Sequence, residues 1–386
     1  MPEKETNSLA ESSRRQNIKL MFGLKINRLF FNIIAWNVNL HLFLFLNYLV
    51  YPKIGVEGAK IFQFMYANPT ATISLAILVG FSSWLLEDVI FYNYLSKKSL
   101  GVFFLWRIFL VTILLVFVFL VTSIYHYHTK IVTDISEYFR LVRWFFFNRT
   151  ALYLFLIGII ISSYINFFKA IRQKVGIEKF VPIISGYYRS PKEEDRIFIF
   201  IDLISSTRYA ELLGHEKYSA FLQECFKYLG ILEIKYRAMQ YQFVGDEVVL
   251  SWSAKDERNF RYAVKFYFEY VAILNSHANH FLKEFRIRPE FTASINSGKI
   301  MVSEVGTLKS ELAFHGDVLN TAARIQKQCK SYKRPLLVTD RFIKRFEPVS
   351  HGYEMEWLSD DPLIGKSKRV GIYAVTPSPE GSLKDL

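Results

Sequence analysis

The sequence has few cysteines and no phosphate-binding glycine loop. Cys225 and Cys329 are its only two cysteines in 386 residues, and their spacing is not that of metal-ligating pairs. Both are interpreted as buried apolar residues of a reducing compartment rather than as parts of a disulfide framework. The pattern Gly-x-x-x-x-Gly-Lys is also missing, which disfavours a P-loop enzyme.

Positive charge is plentiful but is not gathered on one face. The formal net charge is +13, yet Lys and Arg crowd the ends of segments and do not interleave with aromatic residues. This distribution predicts a membrane surface, and not nucleic acid, as a partner. Residues 1–28 are polar and basic, without the apolar core of a signal peptide, so we expect a cytosolic tail there.

Residues 29–168 contain four apolar segments, each of about the 20 residues that a membrane-spanning helix needs. The flanking tail, the Lys97-Lys98 turn and the exit at Lys169 are basic, which predicts a multi-pass protein of the inner cell membrane with both termini in the cytoplasm. The predicted spans are Leu29 to Val50, Ala71 to Leu95, Val102 to Tyr125 and Phe145 to Phe168.

Polar residues within the spans need partners, because unpaired charge in hydrocarbon is costly. Glu87 and Asp88 lie as far from the Lys97-Lys98 turn as Arg107 does, which predicts an ion pair between the second and third spans. Such a pair would either hold the two helices together or act as a gating or sensing element. Three histidines are interpreted as interfacial residues, with a haem or metal site as the alternative: His41, His126 and His128.

Residues 169–190 are predicted to form a linker that carries any signal from the membrane. Phe168, Ile171 and Val175 follow a three-four spacing, which predicts a short helix able to pair with its twin from a second chain. Gly186 to Asp195 is predicted to be a loop. A folded domain is expected over residues 191–376, and a disordered tail over 377–386.

The folded domain alternates strand and helix patterns, which predicts an α+β sandwich of one antiparallel-rich sheet and packed helices. A buried strand is expected at Arg196 to Asp202, followed at once by a helix with the apolar stripe Tyr218, Phe221, Leu222, Cys225 and Leu229. The other predicted elements are a hairpin over 241–250, a helix over 256–285, a hairpin over 291–305 turning at Ser297-Gly298, a helix over 317–330, and strands over 335–339 and 370–375.

Two carboxylates are placed at the ends of these elements. Asp202 ends the buried strand, and Asp246 lies in a Gly-Asp turn between two apolar runs. Singly, Asp202 could be a helix cap and Asp246 a turn residue; together they would suit a hard cation. The amides of Ser205, Ser206 and Thr207, in the first turn of the following helix, could bind phosphate.

A second constellation lies on the helix over 317–330. Asn320 and Arg324 are spaced i, i+4, so both side chains leave one face of this helix. The planar guanidinium of Arg324 suits the binding of phosphate oxygens. The alternative interpretation is a polar pair on the surface of an amphipathic helix.

Three motifs, in this order, resemble those of the class III nucleotide cyclases over about residues 186 to 376. They are Phe-Ile-Asp-Leu-Ile-Ser-Ser-Thr at 200–207, Phe-Val-Gly-Asp-Glu at 243–247, and His-Gly-Asp-Val-Leu-Asn-Thr-Ala-Ala-Arg-Ile at 315–325. The resemblance implies a cyclase-type α+β sandwich domain. With the apolar segments before it, the predicted fold is an all-α membrane domain of four transmembrane helices followed by this sandwich domain. The resemblance also implies a homodimer, because the active site of the family lies between two such domains.

The resemblance assigns roles to individual residues. Asp202 and Asp246, with the carbonyl of Leu203, would hold two Mg²⁺ or Mn²⁺ ions per active site. Asn320 would orient the ribose and Arg324 would stabilise charge on the α-phosphate. Lys366 falls where the family has a phosphate-binding lysine, although Lys368 and Arg369 beside it could take that role.

Base recognition is where the sequence departs from the family. The positions that the family uses to distinguish adenine from guanine carry Gln242 and Ala313. A glutamine amide both donates and accepts hydrogen bonds, which matches the edge of adenine better than that of guanine, whereas Ala313 supplies no polar atom.

The sequence thus predicts a membrane-anchored adenylate cyclase that converts ATP into 3′,5′-cyclic AMP and pyrophosphate. Three alternatives stay open at this point. They are a guanylate cyclase, a receptor whose domain binds nucleotide without turnover, and a transporter with a regulatory tail. The transporter would require broken or Gly/Pro-interrupted spans, which the sequence does not show.

Overall fold

The computed structural model describes residues 29–42, 69–86, 185–306, 310–361 and 369–378, together with isolated residues between 26 and 183. The chain divides into two compact units. One contains Phe22–Phe180, and the other contains Met1–Met21 and Val181–Leu386. The region Lys192–Pro377 of the second unit carries the sheet and all the site residues discussed below, and is called the sheet domain.

The unit Phe22–Phe180 contains a helix over 29–42 and a helix at Pro69–Trp84. They pack closely, since a Cβ added at Gly80 would lie 2.8 Å from the Cα of Ile33. The ring Nδ1 of His41 lies 2.8 Å from the carbonyl oxygen of Asn37, within the first of these helices. No helix in the described ranges has both the length and the apolar character needed to cross a bilayer.

Several predictions fall outside the described residues. They are the ion pair of Glu87 and Asp88 with Arg107, the positions of His126 and His128, the pairing helix at the end of the fourth span, and Lys366 with Lys368. The four membrane spans also stay predictions.

The sheet domain contains eight strands and six α-helices among its described residues. In chain order they are β1 (Lys192–Leu203), α1 (Ser206–Phe226), α2 (Leu229–Tyr236), β2 (Met239–Val244), β3 (Glu247–Ser253), α3 (Arg258–Ser276), α4 (Ala278–Phe285), β4 (Phe291–Val305), β5 (Glu311–His315), α5 (Asp317–Tyr332), β6 (Leu336–Thr339), α6 (Asp340–Phe346), β7 (Tyr353–Asp361) and β8 (Val370–Pro377). A 3₁₀ turn, Glu347–Val349, follows α6.

One mixed sheet organises this domain. Its strand order is β2-β3-β1-β4-β6-β8-β7, and β5 pairs with the far half of β4. All the pairings are antiparallel except that of β4 with β6. The predicted sandwich of one antiparallel-rich sheet with packed helices is therefore confirmed.

Strand β1 is buried on both faces. Its successive side chains point to opposite sides of the sheet, and an apolar cluster covers each side. Ile197, Ile199 and Ile201 join a large apolar cluster with α1, α2, α3, α4 and α6. Phe198 and Phe200 join a second cluster, to which α5 and β5 contribute. Asp202 continues this second row, so the strand delivers its terminal carboxylate to the side of the sheet that α5 covers.

The predicted hairpin over 241–250 is confirmed as β2, a turn at Gly245 and Asp246, and β3. The helix predicted over 317–330 is α5, and the strands predicted at 335–339 and 370–375 are β6 and β8. Strand β8 runs to Pro377, one residue into the predicted tail.

Strand β4 corrects the prediction of a hairpin turning at Ser297-Gly298. It is one continuous strand, because β1 pairs with it from Lys192 opposite Val302 to Leu203 opposite Phe291. Gly298 has a φ of 154°, and a Cβ there would lie only 3.0 Å from Val318 of α5. This glycine therefore allows a helix to approach the sheet closely and makes no turn.

Three other element boundaries differ from the sequence predictions. The expected loop over 186–195 ends early, since β1 begins at Lys192 and its first residues pair with β4. The single helix expected over 256–285 is two helices, separated at His277, whose backbone is not helical. Leu229, expected on the stripe of the first helix, begins a separate helix, α2.

Candidate functional site: a carboxylate cluster at the end of the central strand

Asp202 and Asp246 meet at the end of β1, as the sequence predicts. Asp202 is the second-last residue of β1, and Asp246 occupies the turn that joins the neighbouring strand β3 to β2. Their carboxyl groups are close enough to hydrogen-bond when one is protonated. The positive φ of 65° at Gly245 lets this tight turn form, so the glycine places Asp246 beside Asp202.

Glu247 is a third carboxylate that the sequence analysis did not single out. It is the first residue of β3 and the register partner of Asp202 on β1. Its position in the strand ladder, one residue after the Gly-Asp turn, is the signal that could have identified it.

Negative charge at this cluster raises the pKa of Asp202 and of Glu247. Burial and the negative charge of Asp246 raise the pKa of Asp202 to about 6, against opposing hydrogen bonds from Gln326 and the Leu203 backbone. Burial, then the charges of Asp202 and Asp246, raise the pKa of Glu247 to about 7, although Lys327 opposes this. The end of β1 is therefore a place where negative charge is concentrated and partly dehydrated.

This donor set fits a divalent hard cation. Mg²⁺ prefers carboxylate oxygens and is commonly held by one or two carboxylates together with substrate phosphates. Asp202 and Asp246 can supply such ligands, and a cation would relieve their mutual repulsion. Within the described ranges, no three His, Cys, Asp or Glu side chains form a metal cage by themselves.

The residues after Asp202 form the start of α1. Ser205 occupies the N-cap position with left-handed backbone angles, φ 60° and ψ 31°, and its side chain makes no capping hydrogen bond. The cap is thus Ser205, and Asp202 is not a helix cap. The first-turn amides of Ser206 and Thr207 lack intrahelical partners and carry the positive end of the helix dipole, so they can bind phosphate oxygens.

Tyr218 is also part of this site, although the sequence analysis assigned it only to an apolar stripe. The side chain of Ser206 and the charges of Asp246 and Asp202 act on its hydroxyl. Burial, followed by the Asp246 charge, raises the pKa of this phenol. The phenol of Tyr218 therefore belongs to the surroundings of the carboxylate cluster.

Helix α5 presents different residues to its two sides. Asn320 and Arg324 are exposed on one side, as their i, i+4 spacing predicts. Gln326 lies on the opposite side and is 6% exposed. Its amide donates a hydrogen bond of 3.1 Å to Asp202. Within one copy of the chain, Asn320 and Arg324 therefore point away from the carboxylate cluster.

The two predicted base-reading residues lie on strands that meet. Tyr241 of β2 stacks on Phe314 of β5, with ring centroids 4.6 Å apart. Gln242 follows Tyr241 and is exposed, and Ala313 precedes Phe314 and is half-buried. This stacking holds the segment that carries Gln242 next to the segment that carries Ala313. The exposed side chain of Gln242 is accessible to a ligand.

Comparison with known proteins gives one curated relative and several solved structures. No family model matches the chain. Adenylate cyclase 2 of Rhizobium meliloti is 26% identical over 215 residues, which is 56% of this chain and 59% of that relative. The chain thus matches less than two thirds of the relative's length. The carboxyl-terminal half resembles a nucleotide cyclase.

Two of the similar solved structures are also cyclases. The adenylyl cyclase CyaB from P. aeruginosa is 18% identical, with a TM-score of 0.44, over 49% of this chain and 97% of that chain. The guanylate cyclase domain of RhGC from Catenaria anguillulae, solved in complex with GTP, is 16% identical, with a TM-score of 0.42, over 48% of this chain and 98% of that chain.

Proposed function

We propose that this chain is an adenylate cyclase that converts ATP into 3′,5′-cyclic AMP and pyrophosphate at the interface of a homodimer. The observation that carries the proposal is the convergence of Asp202 and Asp246 beside the free amides at the start of α1. The name of the curated relative, an adenylate cyclase, supports the activity and the choice of ATP.

The reaction joins the ribose 3′-oxygen to the α-phosphorus and breaks the bond from that phosphorus to the oxygen that leaves with pyrophosphate. The 3′-hydroxyl loses its proton as the new bond forms. Two Mg²⁺ or Mn²⁺ ions, held by Asp202, Asp246 and the carbonyl of Leu203, would activate the hydroxyl and balance the charge of the leaving pyrophosphate.

The chain's own groups would orient the nucleotide. The amides at Ser205, Ser206 and Thr207 would hold the triphosphate, and Lys366 would add a positive charge. Asn320 would fix the ribose. Arg324 would bond the oxygens of the α-phosphate as negative charge builds up there, which stabilises the transition state.

The geometry of α5 supports the proposal of a homodimer. Asn320 and Arg324 point away from the carboxylates of their own copy, so a second copy is needed to bring them to a site that contains Asp202. Each dimer would then contain two equivalent sites, each built from both copies.

Gln242 is proposed to read the adenine edge through its amide, which donates one hydrogen bond and accepts another. Ala313 leaves space beside it without adding polarity. Four spans in residues 29–168 are proposed to anchor the enzyme in the inner cell membrane with the sheet domain in the cytoplasm, on the strength of the apolar segments and their basic flanks.

The activity is tested by incubating the full-length chain with ATP or GTP and with Mg²⁺ or Mn²⁺, and by measuring each cyclic nucleotide. We expect cyclic AMP from ATP and no product from the Asp202→Ala variant. Cyclic GMP as the main product would overturn the choice of ATP. Nucleotide binding without either product would show a nucleotide-binding receptor in place of an enzyme.

The shared site is tested by mixing two inactive variants, Asp202→Asn and Arg324→Ala. Mixed dimers hold one site with both residues intact, so an equal mixture should recover about a quarter of the wild-type activity. Each variant alone should stay inactive. A mixture that recovers nothing would overturn the proposal that the two residues act from different copies.

A further inference from the structure

Gln326 follows the third motif and has no role in the scheme above, yet its side chain hydrogen-bonds directly to the carboxylate cluster. Its amide nitrogen donates to Asp202 Oδ2 at 3.1 Å and to Thr292 Oγ1 at 3.2 Å. Thr292 is the register partner of Asp202 on β4. One buried amide thus bridges the ends of two neighbouring strands at the point where the cation would bind.

The chemistry of an amide suits this position. An amide N–H donates a hydrogen bond without bringing charge, so it restrains one oxygen of Asp202 and leaves the other available to a cation. A carboxylate at the same place would add to the repulsion among Asp202, Asp246 and Glu247.

The helix that carries Gln326 is held firmly against the sheet. Ser294 of β4 donates to the carbonyl of Ala322 at 2.7 Å, and Asn296 of β4 donates to that of Val318 at 2.9 Å. Both β4 side chains are buried. The backbone of α5 is therefore fixed independently of Gln326, so a change at Gln326 should alter Asp202 without releasing the helix.

We propose that Gln326 is a positioning residue that orients Asp202 for a divalent cation, and the catalytic part of this proposal rests on the proposed cyclase function. Groups that hydrogen-bond a metal ligand fix its direction, and their loss typically weakens metal binding by about 10- to 100-fold. Gln326 touches neither nucleotide nor reacting atoms in this scheme. It acts through Asp202 alone.

The first test measures the affinity of the full-length chain for Mn²⁺ alone by electron paramagnetic resonance. Gln326→Met keeps the volume and removes the donor, and we expect it to weaken Mn²⁺ binding by about 10-fold. The matched control is Gln328→Met, two residues along the same helix, which should bind within about twofold of wild type. Unfolding temperatures in EDTA check that both variants are folded.

If Gln326→Met fails to fold, Gln326→Asn serves as a second variant. It keeps the amide but shortens the side chain by one methylene group. It should show the same weakening. Unchanged Mn²⁺ affinity in a folded Gln326 variant, or an equal loss in Gln328→Met, would overturn the proposal. Because this measurement needs no turnover, a wild-type chain that makes no cyclic nucleotide would refute the proposed function and leave this result standing.

The second test asks which active site Gln326 serves. In a mixture of Arg324→Ala and Asp202→Asn copies, the one intact site uses Asp202 from the first copy. Adding Gln326→Met to the first copy should raise the Mn²⁺ concentration needed for half-maximal activity by about 10-fold. Adding it to the second copy, whose Asp202 is already replaced, should change that concentration by less than about twofold. Equal effects from the two placements would show that Gln326 supports α5 in general and would overturn the positioning role.

Discussion

Asp202 and Glu247 are direct partners across the ladder between β1 and β3. Asp246 precedes Glu247, so three acidic side chains share the end of two central strands. Such a cluster opposes folding unless a proton or a cation neutralises part of it. The geometry that suits this site for a metal should therefore also make the metal-free protein sensitive to pH.

Glu247→Gln should make the metal-free protein more stable at high pH. The pKa of Glu247 is about 7 in the folded chain and about 4.3 for an unperturbed glutamate. The folded state therefore binds more protons between these values, and stability falls as pH rises from about 4 to 7. Discounted for partial exposure, the gain from the substitution at pH 8 should be on the order of 1 kcal/mol, with little change at pH 4.

This is measured by thermal unfolding of the full-length chain and the variant in EDTA at pH 4 and pH 8. Added Mn²⁺ should stabilise the wild type more at pH 8 than at pH 4, since a cation competes with protons for the carboxylates. A Glu247→Gln variant that is less stable than wild type at pH 8 without metal would contradict the interpretation.

Tyr218→Phe should weaken nucleotide binding. The Tyr218 hydroxyl lies near Ser206 at the start of α1, where the triphosphate is proposed to bind. Losing one hydrogen-bonding group at this place costs about 1 kcal/mol, so the KM for ATP should rise about fivefold with a smaller change in kcat. Tyr209→Phe on the same helix is the control and should change KM little. Equal KM values for wild type and Tyr218→Phe would show that nucleotide binding does not need this hydroxyl.

Signals in the sequence were enough to predict that Asp202 and Asp246 meet at the end of β1. The apolar run that ends in Asp202 and the Gly-Asp turn before Glu247 each specify their own geometry, and a hairpin next to a central strand brings Asp202 and Asp246 together. The periodicity of α5 likewise predicts that Asn320 and Arg324 share a face. The turn and the helix face depend on contacts within a few residues along the chain, and one strand pairing, that of β1 with β3, brings the two carboxylates together.

The contacts that could not be predicted join distant parts of the sequence. Gln326 meets Asp202 from 124 residues away, and no periodicity shows which buried polar side chain reaches a given carboxylate. The sequence does not show whether Gly298 makes a turn or permits a close approach, because glycine marks both. In the structure, Val318 packs against Gly298, which shows that the glycine permits a close approach and makes no turn. That packing exists only in the folded chain.

Gly298→Ala tests this reassignment. Its φ of 154° disfavours side chains, and the new Cβ would lie 3.0 Å from Val318 Cγ2. Crowding of this kind costs about 1–3 kcal/mol of unfolding free energy. Because Val318 lies on α5, we also expect reduced cyclase activity. Gly230→Ala in α2 is the control: its Cβ would meet no atom within 4 Å, so it should be neutral or stabilising by about 1 kcal/mol. A Gly298→Ala variant as stable as wild type would contradict the close approach of α5.

The buried ion pair between α2 and α3 is expected to affect the stability of the fold and not catalysis. Lys235 Nζ lies 2.7 and 2.6 Å from the two carboxylate oxygens of Glu269, which also accepts a hydrogen bond from the Tyr236 hydroxyl. Glu269 is only 5% exposed. Glu269→Gln removes the carboxylate from this buried ion pair, which should cost about 3–5 kcal/mol of unfolding free energy.

Replacing both charges should recover most of this loss. In the double variant Lys235→Met with Glu269→Met, apolar side chains of similar size fill the space and no charge is left unpaired, so stability should return to within about 1–2 kcal/mol of wild type. Denaturant unfolding of the single and double variants measures the difference. Because this pair lies under the helices of the first apolar cluster and Asp202 faces α5 on the other side of the sheet, activity per folded molecule should equal that of wild type in the double variant. A double variant less stable than Glu269→Gln would show that the ion pair itself, and not the avoidance of an unpaired charge, stabilises this face.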